Sequence, residues 1–260
     1  MCQFRPPRST PHSWQSELVQ DLPDPFRLLV KESVDSTNDE VRRLAEMGTG
    51  EGLVVIAHQQ TEGRGRRGAA WFSPPGESLA FSILVRPTEP KPLWPRLALA
   101  AGLAVAEALE EYIPLVGIKW PNDIWVADKK ISGILIEAGR DYAVVGIGLN
   151  VNTREFPEAV EDIATSLTLE TGRTLPRSEV LAAILQRFAV RHRQIGADFQ
   201  SLIDAIRLRC VLTGNDVTLQ TPAGPRRGTV LSISSNGELV LRTATGIETL
   251  MQADEVRLVD

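Results

Sequence analysis

The spacing of apolar residues changes at about Leu212, and this change constrains the fold more than any other feature of the chain. Before it, apolar runs of strand length alternate with helical segments. After it come only short alternating runs, namely DVTLQ, RRGTVLSI, GELVLRT, IETLM and DEVRLV. Turn residues, including Pro-Ala-Gly-Pro and Asn-Gly, separate these runs, as in small all-β modules. The sequence therefore predicts a larger α+β unit followed by a small β-barrel.

The part of the chain before Leu212 contains seven strand candidates. Each is a largely apolar run of the length found in buried strands. They are FRLLV (26–30), LVVIAHQ (53–59), SLAFSILVR (78–86), VGIKW (116–120), DIWVA (123–127), ISGILIEAG (131–139) and YAVVGIGLNVN (142–152). The polar turn DKK between DIWVA and ISGILIEAG predicts a hairpin.

Helical patterns lie between these strands and after them. They cover residues 35–48, 94–112, 177–195 and 199–210. In the first, Thr37 and Glu40 have the spacing of a capping box, and Gly48 can end the helix. The second is rich in alanine and leucine and is long enough to be a core helix. Ser178 is the expected N-cap of the third.

Charge and metal-binding residue types exclude several classes of protein. The formal net charge of −5 argues against general nucleic-acid binding, which requires a basic surface to displace counterions. The two cysteines, Cys2 and Cys210, are too far apart in sequence to suggest a disulfide framework or a CxxC metal site. The three histidines are scattered along the chain, so we expect no zinc held by protein ligands.

The first 25 residues contain proline, arginine and polar residues but no apolar run. They are therefore not a secretory signal, and we expect a flexible or loosely docked arm over residues 1–25. No stretch approaches about 18 consecutive apolar residues, so no membrane span is expected. The cytoplasm is the expected compartment.

The segment GRGRRG (63–68) combines glycines with three arginines. Glycines allow close approach of the backbone to a ligand, and guanidinium groups bind phosphate or adenylate oxygens. Taken alone, the same segment also fits an exposed arginine–glycine loop or an RNA-binding loop.

The segments KWPND (119–123) and KKISG (129–133) concentrate the chain's lysines. Three of its five lysines fall in them, against 23 arginines in the whole sequence. An ammonium group is a compact charge suited to a carboxylate or phosphate oxygen, and Asp123 could face a magnesium ion beside nucleotide phosphates. In isolation, a hairpin turn with an Asx motif and a solvated turn explain these segments equally well.

The segment GIGLN (146–150) does not complete a dinucleotide-binding fingerprint, because Val151 stands where a third glycine would be needed. The sequence GxxxxGK[ST] is also absent, so ATP binding cannot use a P-loop. The nucleotide site, if there is one, must have another design.

Together, in this order and spacing, these segments resemble the biotin protein ligase family. The resemblance spans about residues 26–260 and rests on DSTN (35–38), QTEGRGRRG (60–68), WFSP (71–74), KWPNDI (119–124), KKISGILIE (129–137) and GIGLNVN (146–152). Each motif is weak alone, whereas the ordered set is specific.

The resemblance implies an α+β fold similar to class II aminoacyl-tRNA synthetases, with a mixed sheet flanked by helices and a C-terminal SH3-like barrel. We expect a catalytic domain over 26–210 and the barrel over 211–260. The implied reaction activates biotin with MgATP to biotinyl-5'-AMP and transfers it to a lysine of a biotin carboxyl carrier protein. We expect no protein-ligated zinc, no specific DNA binding and no membrane association. A homodimer is left open.

The resemblance also implies roles for individual residues. It implies that biotin contacts Ser36, Thr37, Asn38, Gln60, Arg64, Gly65, Arg66, Lys130 and Gly133. Among these, Ser36, Thr37 and Gln60 match the polar groups that hold the ureido ring. It implies adenylate contacts by Arg66, Trp71, Lys119, Asn122 and Asn150, catalytic roles for Lys130 and Arg66, and magnesium at Asp123. For Trp71, cover of the pocket and simple core packing are both open.

The chain departs from the family pattern at two points. Ala69 stands where many relatives have a basic residue, which puts part of the nucleotide contact in doubt. The roughly 25 residues before the catalytic region are too few for the winged-helix domain of many bacterial relatives.

Two other functions remain alternatives at this point. A lipoate or octanoate ligase or transferase of related fold would need no ureido-binding polar set. A non-catalytic biotin sensor would not require Lys130.

Overall fold

The computed structural model describes residues 22–259. The predicted arm therefore lies almost entirely outside the described residues, and only 22–25 can be compared. The larger unit contains a seven-stranded sheet in the order β1-β2-β3-β7-β6-β5-β4. Its strands are β1 (Arg27–Val34), β2 (Leu53–Gln60), β3 (Ser78–Val85), β4 (Gly117–Lys119), β5 (Asp123–Val126), β6 (Lys129–Ala138) and β7 (Ala143–Asn150).

The sheet is mixed, as predicted. β1 pairs with β2 in parallel, and every other neighbouring pair is antiparallel. All eight residues of β3 are buried, which explains why SLAFSILV reads as a continuous run rather than as an alternation. The hairpin between β5 and β6 turns at Ala127 and Asp128, which both have positive φ angles. The observed turn therefore begins one residue before the predicted turn DKK, and Lys129 and Lys130 belong to β6.

Within the described residues 22–259, five α-helices accompany the sheet. They are α1 (Thr37–Glu46), α2 (Arg96–Leu109), α3 (Leu167–Thr171), α4 (Arg177–Ala197) and α5 (Phe199–Arg207). Helix α2 has eleven buried residues and packs between the sheet and α4 and α5, as its alanine–leucine composition predicts. On the opposite face, Val41 and Ala45 of α1 join a smaller apolar cluster with Val55, Leu84 and Val144. The sheet is thus covered on both faces. The short helix α3 has no counterpart among the predicted helices.

Two helix caps differ from the prediction. Ser36 is the N-cap of α1 and makes no side-chain cap bond, so the capping box of Thr37 and Glu40 is wrong. The reason is competition, because Thr37 binds Gln60 and Glu40 binds Lys31. Gly48 does adopt a left-handed φ of 90° just after α1, as predicted.

The predicted cap of α4 is also wrong. The helix begins at Arg177, and Pro176 rather than Ser178 occupies the N-cap position. Proline lacks a backbone N–H and has a fixed φ, so it is tolerated where a helix begins. Helix α5 ends at Arg207 rather than at 210, because the next residues pair with the backbone of Ile118 in β4.

The C-terminal unit is a five-stranded antiparallel sheet with the barrel-like character expected from the sequence. Its order is β11-β10-β9-β8-β12. The strands are β8 (Asp216–Thr221), β9 (Gly224–Ile233), β10 (Leu239–Thr243), β11 (Gly246–Leu250) and β12 (Glu255–Leu258). Its buried residues belong to the same apolar cluster as those of α2 and the large sheet. Trp120 adds a hydrogen bond, since its Nε1 donates to the carbonyl of Gly237 at 3.0 Å. The boundary between the larger unit and the C-terminal unit at about residue 210 remains a proposal.

None of the helices within residues 22–259 has both the length and the apolar character needed to cross a membrane.

Candidate active site

All fourteen site residues predicted from the sequence line one cavity of about 830 Å³. This volume lies within the range of small-molecule sites. The residues are Ser36, Thr37, Asn38, Gln60, Arg64, Gly65, Arg66, Trp71, Lys119, Asn122, Asp123, Lys130, Gly133 and Asn150. They come from all six of the quoted motifs, so the fold brings together what the motifs suggested. Their individual roles toward a ligand stay predictions.

The floor of the cavity is formed by paired glycines of β6 and β7. Gly133 lies opposite Gly148 in the ladder, and the ring of Trp71 packs on them. A Cβ at Gly148 would come within 2.4 Å of the Trp71 ring, which real side chains do not tolerate. Trp71 therefore packs on the cavity floor, and its buried Nε1 has no hydrogen-bond partner in the described structure.

The N-terminus of α1 supplies one polar end of the cavity. Ser36, Thr37 and Asn38 are all buried there. The backbone N–H and the hydroxyl of Thr37 donate to Oε1 of Gln60 at 2.8 and 3.1 Å. This bond joins the end of β2 to the first turn of α1. It therefore holds two of the predicted ureido-binding residues in fixed relation.

Arg64 anchors the glycine–arginine loop to the polar end. Its guanidinium donates to both carboxylate oxygens of Asp39 on α1 and lies 3.2 Å from Glu137 on β6. The hydrogen bond from Arg64 lowers the pKa of the Asp39 carboxyl group. The Arg64 side chain is therefore held at the polar end by carboxylates of α1 and β6.

Arg66 reaches the opposite side of the cavity. It donates to Oδ1 of Asn122 at 3.0 Å and to the carbonyl of Ala253 at 2.6 Å. Asn122 in turn donates to the carbonyl of Ile134, which fixes its amide. Burial lowers the pKa of Arg66. Arg66 thus links the loop to KWPND and to the segment that precedes β12.

Two lysines supply positive charge at this side. Nζ of Lys130 lies 2.7 Å from Oδ1 of Asp123. Nζ of Lys119 lies 4.0 Å from the ring centroid of Trp125, a cation–π contact. Burial lowers the pKa of Lys119, and the charge of Asp123 opposes that shift. The site therefore concentrates three cationic groups near one carboxylate, which suits a ligand with several negative charges.

The donor set does not fit a metal ion held by the protein. No cluster of three or more His, Cys, Asp or Glu side chains within residues 22–259 could hold one. Asp123 is a single carboxylate paired with an ammonium group. This pairing favours a role in positioning Lys130 over direct metal ligation. A magnesium ion that arrives with nucleotide phosphates would need few protein ligands.

Sequence reasoning missed several residues at or behind this cavity. Trp125 lines it and carries the cation–π contact with Lys119. Ser82 and Glu137 stand behind the polar end and bind Asn38. The available signals were weak, namely a serine inside the apolar run SLAFSILV and a glutamate in ILIEAG.

The chain matches the family described as Biotin/lipoate A/B protein ligase family over residues 30–152. Among curated proteins, it is 34% identical over 236 residues to the bifunctional ligase/repressor BirA of Bacillus subtilis, covering 87% of this chain and 73% of that protein. It is 33% identical over 231 residues to the biotin–[acetyl-CoA-carboxylase] ligase of Mycobacterium tuberculosis, covering 86% of each.

The solved structures agree. The biotin protein ligase of Aquifex aeolicus in complex with biotin and ATP superposes with a TM-score of 0.82 at 36% identity, covering 90% of this chain and 99% of that one. Fold and site thus define a ligase of the biotin/lipoate class. Within that class, the extent of identity to the curated relatives shows that the chain belongs to the biotin protein ligase family.

Proposed function

We propose that the chain is an ATP-dependent biotin protein ligase that forms biotinyl-5'-AMP and transfers biotin to a lysine of a biotin carboxyl carrier protein. One observation supports the proposal more strongly than the others. A single cavity gathers all fourteen site residues predicted from the motifs, in a fold that closely matches a ligase solved in complex with biotin and ATP. The curated relatives with this activity cover most of the chain.

In the first step a biotin carboxylate oxygen attacks the α-phosphorus of ATP. The bond from that phosphorus to the bridging oxygen breaks, and pyrophosphate leaves with the electron pair. Both reactants are anions, and two unit charges about 4 Å apart repel by roughly 4 kcal/mol at an effective dielectric of about 20. Fixed cations reduce this repulsion, and we assign that work to Lys130, Arg66 and Lys119.

In the second step the neutral amine of the acceptor lysine attacks the acyl carbon of the adenylate. The bond from that carbon to the phosphate oxygen breaks, AMP leaves, and the new amide nitrogen loses a proton. No protein nucleophile is needed, because biotin and the acceptor lysine supply both. The mixed anhydride hydrolyses when exposed, so a loop that covers the cavity protects the intermediate.

The polar end of the cavity suits a cyclic urea. We assign the ureido ring to Ser36, Thr37, Asn38 and Gln60, and the thiophane ring to the glycine floor near Trp71. Asn150 is buried and donates to the carbonyl of Thr165, so a role at the adenine end would be indirect or through its oxygen. Magnesium enters as part of the MgATP substrate. The cytoplasmic location, the lack of specific DNA binding and the oligomeric state stay predictions.

A lipoate or octanoate ligase remains the second candidate, because the matched family includes lipoate enzymes. The polar cluster at Thr37 and Gln60 favours biotin, since a buried polar group left without a partner costs about 1–3 kcal/mol. A simple alkyl chain would offer no hydrogen-bond partner to the amide nitrogen of Gln60. A non-catalytic sensor would not need the positive charge of Lys119 and Lys130.

The test is ATP–pyrophosphate exchange with purified protein. We expect exchange that depends on biotin and does not occur with lipoate in its place. Exchange with lipoate at equal or better efficiency would overturn the substrate assignment. Absence of exchange with either acid, despite binding of biotin, would favour the sensor.

A further inference from the structure

A chain of buried hydrogen bonds runs behind the polar end of the cavity and begins at Ser82. Ser82 lies on β3 and is fully buried. Its neighbours on the same face of the strand, Ala80 and Leu84, are apolar. A buried hydroxyl without a partner is destabilising, so its contacts define what it does.

Ser82 contacts two of the residues predicted to bind biotin. Its Oγ lies 2.7 Å from Oγ1 of Thr37 and 2.6 Å from Oδ1 of Asn38. A hydroxyl has one proton, so Ser82 shares it between these two oxygens. The direction of donation follows from the groups beyond them.

The amide of Asn38 is oriented by Glu137. Nδ2 of Asn38 donates to Oε2 of Glu137 at 2.6 Å, and Glu137 is ion-paired with Arg42 and Arg64. An ionised carboxylate only accepts, so the amide nitrogen must face it and the amide oxygen must face Ser82. That oxygen also only accepts. Ser82 therefore donates toward Asn38 as well as toward Thr37, and its one proton is shared between them.

This direction determines the behaviour of Thr37. Its oxygen accepts a hydrogen bond from Ser82 Oγ at 2.7 Å, and its own proton goes to Oε1 of Gln60 at 3.1 Å. That proton therefore stays inside the network. The remaining lone pair on Thr37 Oγ1 can then only accept a hydrogen bond from a ligand. Meanwhile Oε1 of Gln60 is occupied by the backbone N–H of Thr37, which leaves the Gln60 amide nitrogen to donate.

We propose that Ser82 is a positioning residue that fixes the Thr37 hydroxyl as an acceptor for a ureido N–H of biotin. The inference rests on the proposed function. It adds that specificity for an N–H donor at this point is set by Ser82, Asn38 and Glu137, which lie behind Thr37. Ser82 acts through Thr37 and carries out no chemistry itself.

The test combines equilibrium biotin binding, measured by titration calorimetry, with exchange kinetics. Ser82→Ala should weaken biotin binding by about 5- to 100-fold, because the orientation of a buried acceptor is lost. The exchange rate at saturating biotin should stay within about twofold of wild type, since the change lies far from the reacting carboxylate. Desthiobiotin, which keeps the ureido group, should lose affinity by the same factor. The KM for ATP should not change.

Two further variants separate positioning from a packing defect. Ser78→Ala removes another buried serine hydroxyl from the same face of β3, one that contacts Ser73, and should leave biotin affinity unchanged. Thr37→Val removes the hydroxyl through which Ser82 is inferred to act. In that background Ser82→Ala should cause no further loss, so the two effects should be strongly non-additive.

Each outcome decides the matter. Additive losses in the Ser82 and Thr37 double variant, or unchanged biotin affinity in folded Ser82→Ala, would overturn the inference. If Ser82→Ala unfolds, Ser82→Cys, which keeps only a weak donor of similar shape, must show a smaller loss of biotin affinity at an unchanged exchange rate, or the inference fails. If wild-type protein binds no biotin at all, the proposed function falls and this inference with it.

Discussion

Lys130 is the residue on which the proposed first step depends most directly. It lies on the cavity wall beside Asp123 and within 5.7 Å of the Trp71 ring centroid. Lys130→Ala should reduce biotin-dependent exchange by about 10²- to 10³-fold, by comparison with lost charge-stabilising donors in other enzymes. Its neighbour Lys129 donates to the carbonyl of Glu161 and points away from the cavity, so Lys129→Ala is the matched control. Near-normal turnover by folded Lys130→Ala would show that another group stabilises the charge.

Lys119 should make ATP binding sensitive to alkaline pH. Burial lowers its pKa from the usual value of a lysine, so its charged form is complete at low pH and is lost as pH rises through the lowered pKa. We expect the KM for ATP to rise at a lower pH than an exposed lysine would allow. Lys119→Arg should abolish this rise, because arginine stays charged throughout the range.

The measurement is the KM for ATP between neutral and alkaline pH at saturating biotin and constant ionic strength. An identical alkaline rise in wild type and Lys119→Arg would assign the effect to another group. A loss of activity in Lys119→Arg that does not depend on pH would instead reflect the cation–π contact with Trp125.

At this scale the sequence predicted residues whose chemistry is unusual and missed those whose role comes from distant partners. Dense motifs of lysines, arginines and glycines pointed to the cavity, and all fourteen predicted site residues line it. Ser82 binds Asn38, 44 residues away, and Glu137 binds it across 99 residues. No local pattern encodes such contacts. The capping box failed for the same reason, since Gln60, 23 residues from Thr37, competes for its hydroxyl.

At the scale of elements, the glycine–arginine loop is held from two sides. Arg64 ties it to α1 and β6, while Arg66 ties it to Asn122 and Ala253. Between them the backbone makes a tight turn in which Arg67 adopts a φ of 57°, a conformation that side chains other than glycine seldom take. Side-chain contacts must therefore stabilise a loop conformation that the backbone alone does not favour.

Arg66→Gly should weaken retention of the adenylate more than its formation. Loss of a charged hydrogen bond costs roughly 1.5–3 kcal/mol, or about 10- to 150-fold in residence time if it appears in dissociation. Lys130 and the ureido-binding groups would remain, so the first step should survive in part. Released adenylate would then acylate lysines of unrelated proteins.

The readout is biotin incorporation into serum albumin, with wild type and variant matched for adenylation rate. Arg140→Gly makes the same substitution in the exposed turn between β6 and β7 and serves as control. If Arg66→Gly labels albumin no more than wild type does, the loop does not retain the intermediate and is more simply a surface or carrier-docking element.

Among the elements, those with strong periodicity were predicted and those without it were not. Helix α2 and strand β3 follow from long runs of apolar residues, although α2 ends three residues short of the predicted limit. Helix α3 has only five residues and rests on Ser166, whose hydroxyl caps it. Such a short segment carries too few residues for a period to be visible.

At the scale of the whole molecule, the C-terminal unit completes the cavity that the larger unit begins. The segment from Ala253 to Arg257 lines the cavity beside Arg66 and Lys119. The sequence predicted a separate barrel by its alternating pattern but could not predict this contribution, because the contacts join residues more than 180 positions apart. The contribution of the C-terminal unit to the cavity thus follows from tertiary packing alone.

The contact between Arg67 and Asp254 gives this role a direct test. The two side chains form an ion pair between the loop and the segment before β12. Asp254→Arg would place a third cation beside Arg66 and Arg67, so the loop should dock less well and albumin labelling should rise. Because Arg67 is 58% exposed, screening by water limits the effect, and we expect a change of roughly two- to fivefold.

A charge exchange distinguishes this contact from general damage to the barrel. The double variant Arg67→Asp with Asp254→Arg restores an ion pair of opposite sense and should bring labelling back toward the wild-type level. Asp216→Arg makes the same charge change at the exposed start of β8, where the carboxylate accepts from Thr229, and should have no effect. The difference between wild type and Asp254→Arg should also shrink as salt is raised, because exposed charges are screened within about a Debye length. If the double variant labels albumin as much as Asp254→Arg alone, at any ionic strength, the ion pair does not hold the loop, and the barrel contributes to the cavity through its backbone contact with Arg66 instead.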